Sequence, residues 1–397
     1  MAPGPIVVFS HLRWSSVHQR PHHLLSRFAR EAPVLFVEEP VLDEASVVPS
    51  WELTWPQPGV TVATPRTTVA APGYHPDQIP TLTSLARHLL RALHVERPVA
   101  WLYTPLALPL ATAIAPTLLV YDCMDELSAF LGAPPEMEAR EAALLARADV
   151  VFTGGPSLYR AKQHRARVVR CFPSSVDAAH FRRAGAEPAD QRALPAGPKL
   201  GFYGVLDERL DRALLDAVAR AHPDWQLVMV GPVVKIDPAS LPRRPNVHYL
   251  GQRSYEELPG YLHGWDVCLL PFARNEATRF ISPTKTLEYM AAGKPIVSTP
   301  IRDVVDLYGD LVHCADGPEA FVAACRAALA SPPAVRAERA ARMHERLART
   351  SWDATAAAMQ REIREAHRRA RRLRVAPAPA AASLAFERSA VELEEYS

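Results

Sequence analysis

Short runs of branched apolar residues alternate with helix-length amphipathic stretches along most of the chain. "IVVFS" (6–10), "PVLFVEE" (33–39), "VAWLY" (99–103), "TLLVYD" (117–122), "DVVFTG" (149–154) and "RVVRCF" (167–172) read as strands. Helices are expected at 21–30, near 135–147 and near 156–164. Strands apolar on both faces and spaced by helices indicate a parallel sheet covered on both sides. A polar stretch rich in Pro, Gly and Ala follows at 173–198 and reads as a linker. The alternation then restarts with "KLGFYGV" (199–205), a helix near 208–221, "WQLVMVG" (225–231), "NVHYLG" (246–251), "DVCLLPF" (266–272), "PIVST" (295–299) and "DLVHCA" (310–315). Residues 333–372 read as helical, with Ser351 a candidate cap and a basic end that suits the helix dipole. The expected class is α/β, two doubly wound domains in tandem, divided as 1–185 and 186–350, with a helix over 351–372 and a flexible tail over 373–397. Such folds bind ligands at the C-terminal ends of their strands.

Composition narrows the function classes. A chain of 397 residues exceeds what one core usually organises. Its formal net charge of +2 supplies no global field that would draw it to nucleic acid. Cys123, Cys171, Cys268, Cys314 and Cys325 are scattered without a CxxC pair, so reduced thiols are expected rather than a zinc knuckle. The start "MAPGPIVVFSHLRW" lacks the plan of a signal peptide, and no apolar run is long enough to span a bilayer. A cytoplasmic protein is expected, with peripheral contact at the inner face of the membrane left open. The stretch 81–97 places Leu82, Leu85, Leu89 and Leu93 on one stripe, with Arg87, His88, Arg91 and His94 elsewhere. It reads as a helix packed on the sheet, with a membrane-facing basic helix as the alternative.

The chemistry concentrates in "ISPTKTLEYMAAGKPIVST" (281–299). A loop and helix start at a sheet's C-terminal edge, with Ser282 and Thr284 hydroxyls and the Lys285 charge, suits a phosphate. Glu288, one turn along, has two oxygens for the two hydroxyls of a ribose. The plainer reading is a helix cap and a surface ion pair. "WSSVHQRPHH" puts Arg20 and His22 at another helix start facing the cleft, candidates for pyrophosphate or acceptor. His18 and His22 are four apart, but a metal site lacks a third ligand. "VYDCMDE" ends an apolar strand with Asp122, Asp125 and Glu126. Asp122 or Asp125 is a candidate general base for an acceptor hydroxyl, and a helix cap is the alternative. "FTGG" (152–155) offers close backbone approach to a ligand or to the following helix.

Several of these segments resemble GT-B glycosyltransferases of the GT4 type. "LEYMAAGKPIVST" is similar to their nucleotide-sugar segment, "DVVFTGGPSLYRAKQ" and "VVRCFPSSVDAAHF" to the end of their N-terminal domain, and "NVHYLGQRSYEELPGYLHGWDVCLLPF" to the segment that holds the base. The start, "HLRWSSVHQRPHHLLSRFAREAPVLFVEEP", looks like bacterial enzymes of surface-polysaccharide synthesis. The resemblance implies two Rossmann-like domains, the first for the acceptor and the second for the donor, with the C-terminal helix crossing back onto the first. It implies transfer of a sugar from a nucleoside diphosphate, a UDP-sugar favoured, to a glycan or lipid-linked acceptor, with no cofactor or metal. Glu288 matches the ribose-holding glutamate, while the family's other glutamate falls at Phe280. The family's Gly-Arg pair becomes Gly204 and Val205, which shifts the expected phosphate contacts to Lys285, Arg279 or Arg209. Gln252 and Arg253 fall in the base segment. A GT-B nucleotide-sugar epimerase and a catalytically silent nucleotide-sugar-binding subunit are the alternatives.

Overall fold

The computed structural model describes residues 4–375 apart from 46 and 184. The first half contains β1 (Ile6–Phe9), α1 (Arg20–Phe28), β2 (Val34–Val37), β3 (Val41–Leu42), β4 (Ser50–Gln57), β5 (Val60–Thr67), α2 (Ile79–Ala92), β6 (Val99–Leu102), α3 (Leu108–Ala113), β7 (Leu118–Cys123), α4 (Met137–Arg147), β8 (Val150–Thr153), α5 (Pro156–Lys162) and β9 (Val169–Cys171). Its sheet runs β3-β5-β2-β1-β6-β7-β8-β9, with β4 paired antiparallel to β5 and the other pairings parallel. The strand order reverses at β1, beside β6, which is where a doubly wound sheet opens a crevice. The β4–β5 hairpin is the main element that the sequence reading passed over. Both strands carry a proline and β4 is mostly exposed, so neither shows a continuous apolar run.

The second half contains α6 (Ala178–Arg182), α7 (Ala189–Arg192), β10 (Lys199–Tyr203), α8 (Arg212–Ala221), β11 (Gln226–Val230), β12 (Val247–Gly251), α9 (Leu258–His263), β13 (Val267–Leu270), α10 (Lys285–Ala291), β14 (Ile296–Ser298), α11 (Arg302–Tyr308), β15 (His313–Cys314), α12 (Pro318–Ala330), α13 (Pro333–Leu347) and α14 (Trp352–Val375). A parallel sheet in the order β12-β11-β10-β13-β14-β15 forms its centre. The stretch read as a linker is not free: Val176 and Phe181 are buried in the core of this second domain. The helical region 333–372 is two helices, because Ser351 starts a new one by accepting from the Ala354 N–H at 3.1 Å. Of the expected tail, 373–375 continue α14, and 376–397 lie outside the described residues.

The last helix returns to the first domain. Trp352, Ala356, Met359, Ile363 and Ala366 are buried with Ile6, Val8, Leu24, Phe28 and Trp101 on one face of the first sheet. The chain thus crosses between domains twice, and the crossings touch where the Ser175 and Thr350 hydroxyls lie 2.8 Å apart. The 81–97 helix is α2; of the expected stripe Leu82 and Leu89 are buried on the sheet's other face and Leu85 is half-buried, but Leu93 lies past the helix end and is exposed, while Leu90 is buried instead. Among the described residues no helix is long and apolar enough to cross a membrane.

Candidate active site in the interdomain cleft

Parallel sheets send the C-terminal ends of their strands to one edge, and both edges here open on the same cleft. From the first domain it is lined by Val17–Arg20 after β1, Met124 and Asp125 after β7, and Gly154 after β8. From the second come Gly204 and Val205 after β10, Gly231 and Pro232 after β11, and Gln252 and Arg253 after β12. Ser282, Thr284, Lys285 and Glu288 complete the wall.

Glu288 is buried and accepts a hydrogen bond from the Tyr203 hydroxyl at 2.6 Å through one oxygen. Burial raises its pKa, opposed by the Tyr203 bond and the nearby Lys285 charge. Lys285 is half-buried at the first position of α10, its ammonium 5.5 Å from the centre of the Phe202 ring. Burial, and then the Arg209 charge, lower its pKa. The Cε and ammonium of Lys285 occupy the place where a side chain on residue 204 would project, and Gly204 has φ +136°. The positive φ is what calls for glycine there, since the end of the Lys285 side chain could shift aside. The surface-pair reading of Lys285 and Glu288 does not hold, because both line the cleft and Glu288 is bonded to Tyr203.

Arg209 also lines the cleft. Its Nε lies 3.0 and 3.1 Å from the two oxygens of Asp207, and an Nη reaches the same carboxylate at 2.6 Å. Gln252 and Arg253 are in place, and Arg253 is held by Asp190 at 2.6 Å. Arg279 is not brought in. It is mostly exposed, pairs with Glu276 at 3.3 Å and lies over Phe280. The short capped turn at 276–278 directs it outward, and Phe280 packs against the first domain's core.

In the first domain two expectations are corrected. Asp122 is fully buried beneath Arg20, whose Nε and Nη donate to it at 3.1, 3.1 and 2.9 Å. A second Arg20 Nη donates to the Phe172 carbonyl at 2.8 Å. Burial works against the Arg20 charge, but Asp122 more than offsets it and raises the guanidinium above its ordinary value. Asp122 therefore faces Arg20 and not an acceptor. His22 is also turned inward, its Nδ1 accepting from the Gln19 N–H at 3.2 Å and its Nε2 lying 2.8 Å from the Trp14 carbonyl. It closes the start of α1. Asp125 does line the cleft, half-buried, and burial raises its pKa while Arg209 pulls it back.

Aromatic residues that sequence reading missed bridge the domains. Tyr255 lines the cleft between His18 and His180, stacked on the two imidazoles at 4.3 and 4.2 Å between ring centres. Behind them His23 stacks on Trp352 at 4.7 Å. Burial lowers His18 to about 3 and His23 to about 2, with neighbouring histidines and Arg27 adding to the effect. On the opposite side Asp303 of α11 accepts from the Ser157 N–H at 3.0 Å and from its hydroxyl. A side chain on Gly155 would strike Asp303 and Ser282, so the second glycine of "FTGG" admits the other domain.

Residues 197–331 match the family model described as Glycosyl transferases group 1. The matched segment is about a third of the chain and spans β10 to α12 of the second domain. Glu288, Lys285, Arg209 and Tyr203 all lie within the matched segment. Over 139 residues the chain is 32% identical to TuaH of Bacillus subtilis (strain 168), which is named as a teichuronic acid biosynthesis glycosyltransferase. That match covers 34% of this chain and 35% of the relative, so it spans about a third of the curated protein's length. Among solved structures, the sucrose-phosphate synthase of Thermosynechococcus elongatus aligns with TM-score 0.70 at 18% identity, over 91% of this chain and 98% of its own. An alpha,alpha-trehalose-phosphate synthase (UDP-forming) of Burkholderia xenovorans, in complex with glucose-6-phosphate, aligns with TM-score 0.68 at 14% identity, over 91% and 100%. At these identities the two structures show the two-domain fold alone.

Proposed function

We propose that the protein transfers a sugar from a nucleoside diphosphate, a UDP-sugar favoured, to a hydroxyl of a glycan or lipid-linked acceptor in cell-surface polysaccharide synthesis. One observation carries this reading: a buried carboxylate, Glu288, with one oxygen fixed by Tyr203, shares a cleft wall with Lys285 and Arg209. A carboxylate so placed takes the ribose hydroxyls, and two cations take the diphosphate. The teichuronic acid relative supports the surface-polymer setting.

The donor lies against the second domain and the acceptor enters from the first. The bond between the anomeric carbon and the diphosphate oxygen breaks as the acceptor oxygen bonds to that carbon. Lys285 and Arg209 meet the charge growing on the leaving diphosphate, so the reading asks for no metal. In an inverting transfer Asp125 takes the acceptor proton; in a retaining one the leaving diphosphate takes it. Domain closure keeps water from the donor.

Calorimetry with UDP, GDP and dTDP, followed by turnover of the matching sugar donors on glycan and lipid-linked acceptors, tests the reading. One nucleotide should bind, and its sugar should be transferred in the presence of EDTA. Turnover without an acceptor would indicate an epimerase. Binding with no turnover on any acceptor would indicate a silent subunit.

A further inference from the structure

One cation of the second domain's cleft wall, Arg209, also touches a ring from the first domain. The loop after β7 that carries Asp125 continues through Phe130, and Phe130 reaches the second domain. The Arg209 guanidinium carbon and the Lys235 ammonium each lie 5.3 Å from the centre of the Phe130 ring. The next residue, Leu131, donates its N–H to a Glu208 oxygen at 3.2 Å. Asn275 in turn donates to the Glu208 carbonyl at 3.0 Å. Lys235 takes up this position from a left-handed backbone, with φ +64°. Non-glycine residues adopt that conformation at a cost, and the contacts around them must hold it. Asp207 and Phe130 together leave the Arg209 side chain little freedom, while Arg209 itself lines the cleft.

We propose that Phe130 is a positioning residue for the donor diphosphate: it crosses from the first domain and holds Arg209 towards the cleft only when the domains are closed. This rests on the donor reading above and extends it. Diphosphate affinity should then depend on a first-domain ring that is not among the residues lining the nucleotide's cleft. The bare nucleoside, which has no diphosphate for Arg209 to meet, should be indifferent to the ring. Asp125 lies on the same loop, so the loop that seats the cation also presents the carboxylate.

The test measures, by calorimetry, the affinity of the full chain for the nucleoside diphosphate that binds among UDP, GDP and dTDP, and for its parent nucleoside. Phe130→Ala should weaken the diphosphate roughly three- to tenfold, the range expected for a cation–π contact, and leave the nucleoside unchanged. Phe130→Trp should retain affinity, because it keeps an aromatic face. Phe130→Leu keeps apolar bulk without that face and should behave as alanine does. Wild-type diphosphate affinity in the alanine or leucine variant would overturn the proposal, as would equal losses for nucleoside and diphosphate. If the wild-type protein binds none of the three diphosphates, the donor reading fails first and this proposal falls with it.

Discussion

The two walls of the cleft use their charges differently. In the second domain Glu288, Lys285 and Arg209 are held from behind, by Tyr203, Phe202 and Asp207, and line the cleft. In the first domain Asp122 and His22, equally conspicuous in sequence, are turned inward, Asp122 to Arg20 and His22 to Gln19 and Trp14, and Arg20, though it borders the cleft, directs its guanidinium to Asp122 and Phe172. Asp122 and Asp125 make the contrast sharpest. Three residues apart, one is neutralised in the fold and the other is left beside the ligand space. A charged residue at a strand end marks a place where ligands bind, but its partner decides whether it meets one.

The largest effect should separate those two aspartates. In an inverting transfer Asp125→Asn lowers turnover by about 10²–10⁴-fold with donor affinity kept. Melting temperature should hold or rise, since burial disfavours that charge. Full activity in the variant, or product NMR showing retention, removes the base role. Arg20→Met should instead cost stability, about 3–5 kcal/mol, by leaving Asp122 buried and unpaired. Pairing it with Asp122→Leu should recover much of that loss in denaturant unfolding. No recovery would mean that the Phe172 and α14 contacts of Arg20 dominate.

Lys285→Met keeps the stem against Gly204 and removes the charge. Turnover should fall by about tenfold or more, with a smaller loss of intact-donor affinity, because the diphosphate gains charge as it leaves. Wild-type turnover would leave Lys285 a packing residue. The smallest effect concerns the histidine bridge. His18 is lowered from its ordinary 6.5 to about 3, first by burial and then by His22, His180 and Arg27. Between those pH values the unfolded chain binds a proton at His18 that the folded one refuses, so the His18 contribution lowers stability as pH drops below about 6.5 and levels off near 3. His18→Phe keeps a ring on Tyr255 and should lessen the loss by up to about 1.4 kcal/mol per pH unit within that window. Identical melting curves from pH 7 to 4.5 would refute the linkage.

Strand placement was legible because parallel strands buried on both faces are written as unbroken apolar runs. The β4–β5 hairpin was not, since its outer strand is polar and each strand contains a proline. Glu288, Lys285 and Asp125 could be found because a strand's end locates the cleft edge. Asp122 was misjudged because its partner, Arg20, lies 102 positions away in the sequence. Tyr255, Phe130 and Asp303 were invisible for a related reason: each acts across the domain boundary, and no local spacing records the other side. Phe280, where the family resemblance places a glutamate, is instead packed on the first domain's core.

The return of α14 has a consequence for how the molecule is made. One face of the first sheet is covered by Trp352, Ala356, Met359, Ile363 and Ala366, which a ribosome supplies only after the whole second domain. Domains usually fold in the order they emerge. Here the half made first must wait, with Ile6, Val8 and Trp101 short of their cover, until the half made second has passed. The cover of the first sheet is therefore supplied late, and a nascent chain stalled near residue 350 should leave that apolar face exposed.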